Sequence, residues 1–130
     1  MLKLDSLAKE HKEVRLPRID TVKAGAALAE RLEELARLHN FKYRNVSIRN
    51  QRTRWGSCSG KDNISLNINL ARLPAELSDY VILHELLHTR IKNHGKGFWT
   101  ELDRYVGGSA KDLAKKLRKH RLYVLQPSPA

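Results

Sequence analysis

The stretch His84-Glu85-Leu86-Leu87-His88, followed by His94, constrains this chain more than any other part of the sequence. Residues four apart lie on one face of an α-helix, with Cβ atoms about 5–6 Å apart, so His84 and His88 can present two imidazoles to one metal ion. Glu85 lies about 100° round the helix from His84, where its carboxylate can reach a water on that ion without ligating it. The spacing therefore indicates a metal-binding helix in which Glu85 is the general base.

A catalytic zinc ion usually takes three protein ligands and a water, and His94 is the obvious candidate for the third ligand. In an unbroken helix His94 would lie about 15 Å along the axis from His84, too far for Zn–N bonds of about 2.1 Å. The helix must therefore end between His88 and His94, and Asn93, which can adopt the left-handed conformation, favours a turn there. If His94 did not ligate, a carboxylate would have to replace it, and the candidates are Glu101 and Asp103.

The composition indicates one small domain with a basic surface. The chain has 130 residues and a formal net charge of +11, which suits a polyanionic partner such as nucleic acid but also serves solubility. No apolar run approaches the roughly 20 residues of a membrane helix, and the first residues lack the apolar core of a signal peptide.

The single cysteine, Cys58, agrees with a reducing compartment, so we expect a cytoplasmic protein. Cys58 itself is either a small buried hydrophobe or a reversible blocking ligand of the metal.

The apolar periodicity predicts helices and strands in an α+β arrangement. A first helix should run from an N-cap at Asp20 or Thr21 to about His39. Alternating apolar residues predict strands over 44–50 and 63–70, which we expect to form a small antiparallel sheet with the turn-rich segment between them. A short edge strand is also predicted at Val14-Arg15-Leu16, before Pro17.

Three further helices are expected in the second half of the chain. Pro74 suits the first turn of the helix that carries the histidines, whose apolar stripe turns the metal site toward the domain. A second helix should follow the glycine turn and end at Gly107-Gly108, and its aromatic residues are read as packing. Ser109 and Asp112 form a capping-box-like start to a basic last helix over 109–121. Its candidate nucleic-acid contacts are Lys115, Lys116, Arg118, Lys119 and Arg121.

Several separate motifs carry a resemblance to a known family. The chain resembles the YgjP-like metallopeptidases, which belong with the SprT-like and WLM zinc proteases, at Arg54-Trp55-Gly56-Ser57-Cys58, Asn69-Leu70, His84 to His88, Asn93-His94 and Phe98-Trp99. The resemblance covers roughly residues 44–106. It implies a compact zincin-like α+β domain with the small sheet packed on helices. From the chain length and the composition of the tail, we expect residues 1–125 to form one unit and residues 126–130 to be a disordered tail. The resemblance also implies one Zn²⁺ ion bound by His84, His88 and His94, with Glu85 as the catalytic residue.

The spacing of the three histidines is shared with the metzincins, but two other features disagree. Ile91 stands where those enzymes place glycine, and no methionine follows the site to form a Met-turn. SprT-like and WLM proteins act on proteins attached to DNA, and the positive charge would suit that role by analogy.

The expected reaction is hydrolysis of a peptide bond by a water that the metal activates and Glu85 deprotonates. The strand over 63–70 is the expected edge for an extended peptide substrate. Spacing does not choose among the candidate oxyanion stabilisers Tyr80, Tyr105, Arg52 and Arg54. Two alternatives remain: a metal-dependent nucleotide phosphohydrolase, although a P-loop is absent, and a nucleic-acid-binding module with a non-catalytic metal site.

Overall fold

The computed structural model describes residues 18–124, with side chains for residues 18–120. The expected strand at Val14-Arg15-Leu16 and the expected tail at 126–130 lie outside these residues. The described chain contains four α-helices, three strands and one 3-10 helix, which confirms the α+β class. Among the described residues, no helix is long and apolar enough to cross a membrane.

The first helix, α1, spans Thr21–Leu38 and begins where the sequence predicted. The Asp20 side chain accepts hydrogen bonds from the backbone N–H groups of Val22 and Lys23, so it satisfies two donors that the first turn leaves without helical partners. The inner face of α1 is buried against the sheet and the next helix. Arg31 also joins α1 to the next helix, because it donates two hydrogen bonds, of 2.9 and 2.8 Å, to the Asp79 carboxylate.

The sheet consists of β1 (Asn45–Arg49), β2 (Gly56–Cys58) and β3 (Asn63–Asn67), in the order β1-β3-β2. The predicted purely antiparallel sheet is wrong in one pairing, since β1 runs parallel to β3 and only β2 runs antiparallel to it. The alternation of apolar residues indicates which face of a strand is buried. The same alternation is expected whether the strand pairs in parallel or in antiparallel. The sequence pattern therefore located the strands but did not fix the direction of β1.

The chain crosses from β1 to the far side of β3, and a buried asparagine holds this crossing. Asn67, which is 1% exposed, donates its amide hydrogens to the carbonyl oxygens of Gln51 and Arg54 at 2.8 and 2.7 Å. The same side chain accepts from the N–H of Asn69 at 3.0 Å, where a 3-10 helix (Ile68–Arg72) begins. The strand predicted over 63–70 therefore ends at Asn67, because the following residues turn into this short helix.

The histidine-bearing helix, α2, spans Ala75–Leu87 and lies at the centre of the molecule. It packs against α1, β2, β3 and both later helices, so nearly every side of it is apolar and buried. The later helices are α3 (Lys96–Val106), which ends at Gly107 in the left-handed conformation, and α4 (Ala110–Val124). Ser109 caps α4 as predicted by accepting from the N–H of Asp112 at 3.2 Å.

Candidate metal centre

The helix that carries His84 and His88 ends where the three-histidine hypothesis requires. α2 stops at Leu87, and His88 is its C-cap. The turn at Asn93 is not made by the left-handed backbone conformation that we expected, because among the described non-glycine residues only Asn40 and Asp62 have positive φ. Instead, the Asn93 side-chain oxygen accepts from the N–H of Gly95 at 3.0 Å, which is a local turn of the Asx type.

The three imidazoles meet at one point. The Nε2 atom of His94 lies 3.1 Å from that of His84 and 2.9 Å from that of His88. Two ligand atoms at about 2.1 Å from a tetrahedral ion would be about 3.4 Å apart. The three nitrogens would therefore need to move apart only slightly to bind zinc. Facing lone pairs repel at such distances unless a proton or a cation lies between them, and a cation can serve all three. His84, His88 and His94 thus form a group that could hold a metal ion.

Neighbouring groups orient the rings of His84 and His88. His88 places Nδ1 2.8 Å from the carbonyl oxygen of Ile91, so Nδ1 carries the proton and Nε2 keeps its lone pair for a metal. The Tyr80 hydroxyl lies 3.4 Å from Nδ1 of His84. Phe98, which is fully buried, stacks on His88 with ring centres 4.5 Å apart and also contacts the rings of His84 and His94.

The electrostatics favour the neutral forms of His84 and His88 in the absence of a metal. Burial, helped by the nearby rings of His88 and His94, lowers the pKa of His84 to about 3. Burial also lowers the pKa of His88, although its hydrogen bond to Ile91 opposes this effect. Neutral imidazole is the form that binds metal ions, so the environment of these two rings favours ligation.

Glu85 lies beside the three histidines without joining them. Its side chain is 8% exposed, and burial raises its pKa to about 7 against an opposing effect of the Arg54 charge. Gly56, the first residue of β2, passes so close that an added Cβ there would lie 3.1 Å from Cγ of Glu85. The sequence had not singled out Gly56, since only the folded backbone shows this approach.

Of the other candidate residues, Tyr80 contacts His84 from behind, and the rest have partners elsewhere or are exposed. Tyr80 is buried, and burial raises its pKa to about 12. The Tyr105 hydroxyl accepts from Arg90 at 2.8 Å. Arg52 and Arg54 are exposed on the crossing between β1 and β2. The alternative third ligands are engaged elsewhere, because Glu101 pairs with Arg104 at 3.0 Å and Asp103 accepts from the N–H of Ala110 at 2.8 Å.

Cys58 is half-buried on β2, the strand that borders Glu85. Burial raises the pKa of its thiol, and the nearby charges of Glu85 and Asp62 raise it further while Lys92 opposes them. A raised thiol pKa disfavours the thiolate, which is the form that ligates metals. Cys58 packs against the hydrophobic core, which agrees with its role as a small apolar residue, and its role as a blocking ligand stays a prediction.

The basic residues predicted for nucleic-acid contact lie on α4. Lys115, Lys116, Arg118 and Lys119 are exposed, and Lys116 approaches Glu76 at 3.9 Å. The side chain of Arg121 lies outside the described residues. Contact of this helix with DNA or another polyanion stays a prediction.

The fold and the site together define a class of protein, an α+β domain with an HExxH helix and a third histidine after it. A family model described as "YgjP-like, metallopeptidase domain" matches residues 1–120. The chain therefore belongs to the YgjP-like metallopeptidases, which confirms the expected family and enzyme class. The match extends on both sides of the residues 44–106 that carried the resemblance.

Two solved structures are similar in fold. The metallopeptidase zymogen jannalysin of Methanocaldococcus jannaschii is 27% identical, with a TM-score of 0.62, over 72% of this chain and 95% of that one. The metallopeptidase zymogen abylysin of Pyrococcus abyssi is 23% identical, with a TM-score of 0.62, over 72% of this chain and 93% of that one. Among the curated proteins compared, none matches this chain.

Proposed function

We propose that this protein is a zinc-dependent peptidase in which His84, His88 and His94 bind the metal and Glu85 is the general base. The convergence of the three Nε2 atoms carries the proposal: Nε2 of His94 lies 2.9 Å from that of His88 and 3.1 Å from that of His84. Three imidazoles with a carboxylate on the same helix are a donor set that suits zinc, whereas magnesium and calcium prefer oxygen ligands. Zinc bound there would act as a Lewis acid that lowers the pKa of a water and polarises the peptide carbonyl.

Glu85 would hold and deliver the proton in this reaction. Its carboxylate is buried, and its raised pKa of about 7 places it near the pH at which a base both accepts and returns a proton efficiently. Glu85 would take a proton from the attacking water and give it to the leaving amine. The positive charge of Arg54 limits the rise of the pKa and so keeps a useful fraction ionised at neutral pH.

The substrate strand would pair with β2. We expected the segment over 63–70 to offer a free edge, but β3 is the central strand and both of its edges are paired. Among the described strands β2 lies at an edge of the sheet, and Gly56 at its start lies against Glu85. A peptide added to this edge would therefore pass beside the proposed base, with its backbone held by main-chain hydrogen bonds.

Arg54 is the best supported of the four candidate oxyanion stabilisers, because its charge acts on Glu85. Tyr80 is buried behind His84, and Tyr105 is occupied by Arg90. No contact of the Arg52 side chain links it to the site.

Glu85→Gln tests the proposed base. We expect the variant to bind one zinc ion per chain and to lose at least about 100-fold in kcat on casein, because proton transfer by a positioned side chain contributes about that much. Metal content and casein hydrolysis are the two measurements. Glu101→Gln, which changes an exposed ion pair on α3, is the matched control and should keep both. Retained hydrolysis in Glu85→Gln would refute the general-base role.

The two alternative functions predict different results when the purified protein is tested with casein, nucleoside triphosphates and DNA. A nucleotide phosphohydrolase would hydrolyse nucleoside triphosphates and leave casein intact. A nucleic-acid-binding module would bind DNA with an affinity that falls as salt rises, and it would lose that affinity when Lys115, Lys116, Arg118 and Lys119 are neutralised. Cleavage of casein by the zinc-loaded wild type favours the peptidase over both. If the peptidase selects proteins attached to DNA, the protein should both cleave casein and bind DNA with an affinity that falls as salt rises.

A further inference from the structure

A cleft opens beside His94, on the side of α3 that faces the start of α4. Its volume is about 420 Å³, within the range of ligand pockets. Side chains of α3, of the turn after it and of the first turn of α4 line the cleft together with His94, namely Lys96, Trp99, Thr100, Asp103, Ser109 and Lys111. Neither the family assignment nor the proposed chemistry at Glu85 uses this cleft.

The cleft is continuous with the histidine group. The Trp99 ring forms its apolar wall, and the centre of that ring lies 6.0 Å from the His84 ring and 6.4 Å from the His94 ring. Consecutive residues of an extended peptide advance by about 3.3–3.6 Å. A peptide whose scissile carbonyl lies at the three histidines can therefore place the side chain of a nearby residue in the cleft.

The charges around the cleft favour an anion. Lys96 and Lys111 form no ion pair with any residue whose side chain the structure describes. Nζ of Lys111 lies 5.8 Å from the Trp99 ring centre, a cation–π contact that holds the ammonium group over the cleft wall. One oxygen of Asp103 accepts from the N–H of Ala110 at 2.8 Å, and the carboxylate keeps its charge. Two lysines thus outweigh one carboxylate in the lining of the cleft.

We propose that this cleft is a specificity pocket for a carboxylate of the peptide substrate, carried by a glutamate or aspartate near the scissile bond. The ammonium groups of Lys96 and Lys111 bind the carboxylate, and Trp99 packs against the methylene groups that precede it. The inference rests on the proposed peptidase function and adds the substrate class to it. A C-terminal carboxylate has the same chemistry, so capped and uncapped peptides distinguish the two sources.

The test uses the zinc-loaded full chain and pairs of peptides that differ by Glu or Gln at one position near the cleavage site. All peptides are acetylated and amidated, so only side chains carry carboxylates. We expect kcat/KM to be about three- to tenfold higher for one Glu peptide than for its Gln partner, with the difference shrinking at high salt. Lys96→Glu/Lys111→Glu should abolish or invert the preference. Lys23→Glu/Lys42→Glu changes the net charge equally, at exposed lysines outside the cleft, and should preserve it.

A second readout does not need catalysis. Binding of the same peptides to zinc-loaded Glu85→Gln, measured by titration calorimetry, should show the same Glu preference and the same loss in the Lys96/Lys111 variant. Equal kcat/KM and equal affinity for Glu and Gln peptides at every position would overturn the pocket. A further pair of peptides that differ only in a free or an amidated C-terminus separates the two sources. A preference for the free C-terminus without any preference for Glu over Gln would overturn the side-chain assignment and give the pocket to a terminal carboxylate. Absence of cleavage for all peptides would refute the peptidase function itself, and the binding measurement would still decide the pocket.

Discussion

Gly56 lies at the contact between the edge strand and the proposed catalytic base. A Cβ at this position would approach Cγ of Glu85 and the carbonyl oxygen of Ser65 to 3.1 Å each. The carbonyl belongs to the paired strand β3 and has little freedom to move. The Glu85 side chain would therefore have to shift, and displacement of a catalytic group by a fraction of an ångström is costly to catalysis.

Gly56→Ala should lower kcat/KM on casein by between about tenfold and 100-fold while leaving zinc affinity within about twofold. Gly60→Ala is the matched control, because a Cβ at Gly60 meets nothing within 4 Å. Steady-state kinetics and a zinc competition titration measure the two effects. Unchanged kinetics in Gly56→Ala would contradict the close packing of β2 against Glu85.

The residues of the site were predictable to different degrees. His84, Glu85 and His88 follow from helical spacing alone, and His94 follows from the ligand count of zinc. The role of Gly56 was not predictable, because a glycine in a strand signals a close approach without saying to which residue. Asn67 was missed for the same reason, since its hydrogen-bond partners are backbone carbonyls that come near only after the chain has crossed the sheet.

At the scale of elements, the connection between α2 and α3 decides where His94 lies. Two basic residues of this connection tie it to separate parts of the fold. Arg90 donates to the carbonyl oxygens of His39 and Asn40 at the end of α1, at 3.0 and 2.5 Å, and its guanidinium lies 4.1 Å from the Phe41 ring centre. Lys92 pairs with Asp62 in the turn between β2 and β3. The connection is therefore fixed to two separate parts of the fold just before His94.

Arg90→Met should remove about 1–3 kcal/mol from the free energy of unfolding, because charge-assisted hydrogen bonds are lost and two carbonyl groups lose their donor. Zinc affinity should fall as well, since His94 follows this connection. Arg37→Met is the control, because Arg37 forms only an exposed ion pair with Glu33 on the same helix. Denaturant unfolding and zinc titration report the two quantities. Wild-type zinc affinity in Arg90→Met would show that the connection holds His94 without this anchor.

The elements themselves were largely predictable, whereas their arrangement was not. The start of α1 was marked by Asp20 and the start of α4 by Ser109, which act through local hydrogen bonds. The direction of β1 depends on its pairing with β3, which comes later in the chain. The alternation of Val46 and Ile48 does not indicate whether that pairing is parallel or antiparallel. Local signals therefore fixed the helices, and the long-range contacts of β3 fixed the sheet.

For the molecule as a whole, metal binding should add to a core that is already substantial. The buried apolar residues of the helices and of β3 form one cluster around α2. The fold should thus persist without metal, while a bound ion should remove the repulsion among the three converging imidazole nitrogens. This situation differs from that of small zinc fingers, which depend on the metal for folding.

Zinc at about 100 times its dissociation constant should stabilise the protein by about 2.7 kcal/mol and raise Tm by roughly 10 °C. A chelator should reverse the shift without unfolding the protein at room temperature. Magnesium at the same concentration should leave Tm unchanged, because it prefers oxygen ligands. Scanning calorimetry of wild type and His84→Ala tests this, and an equal zinc shift in His84→Ala would place the ion elsewhere.

X-ray absorption at the zinc edge of the loaded protein tests the central claim most directly, because it counts the ligands and distinguishes nitrogen from sulfur. Three imidazole nitrogens and one further nitrogen or oxygen at about 2.0–2.1 Å are predicted for wild type, with one imidazole fewer in His94→Ala. A sulfur at about 2.3 Å would identify Cys58 as a ligand. A wild-type spectrum with only two imidazoles, with or without that sulfur, would contradict the three-histidine site.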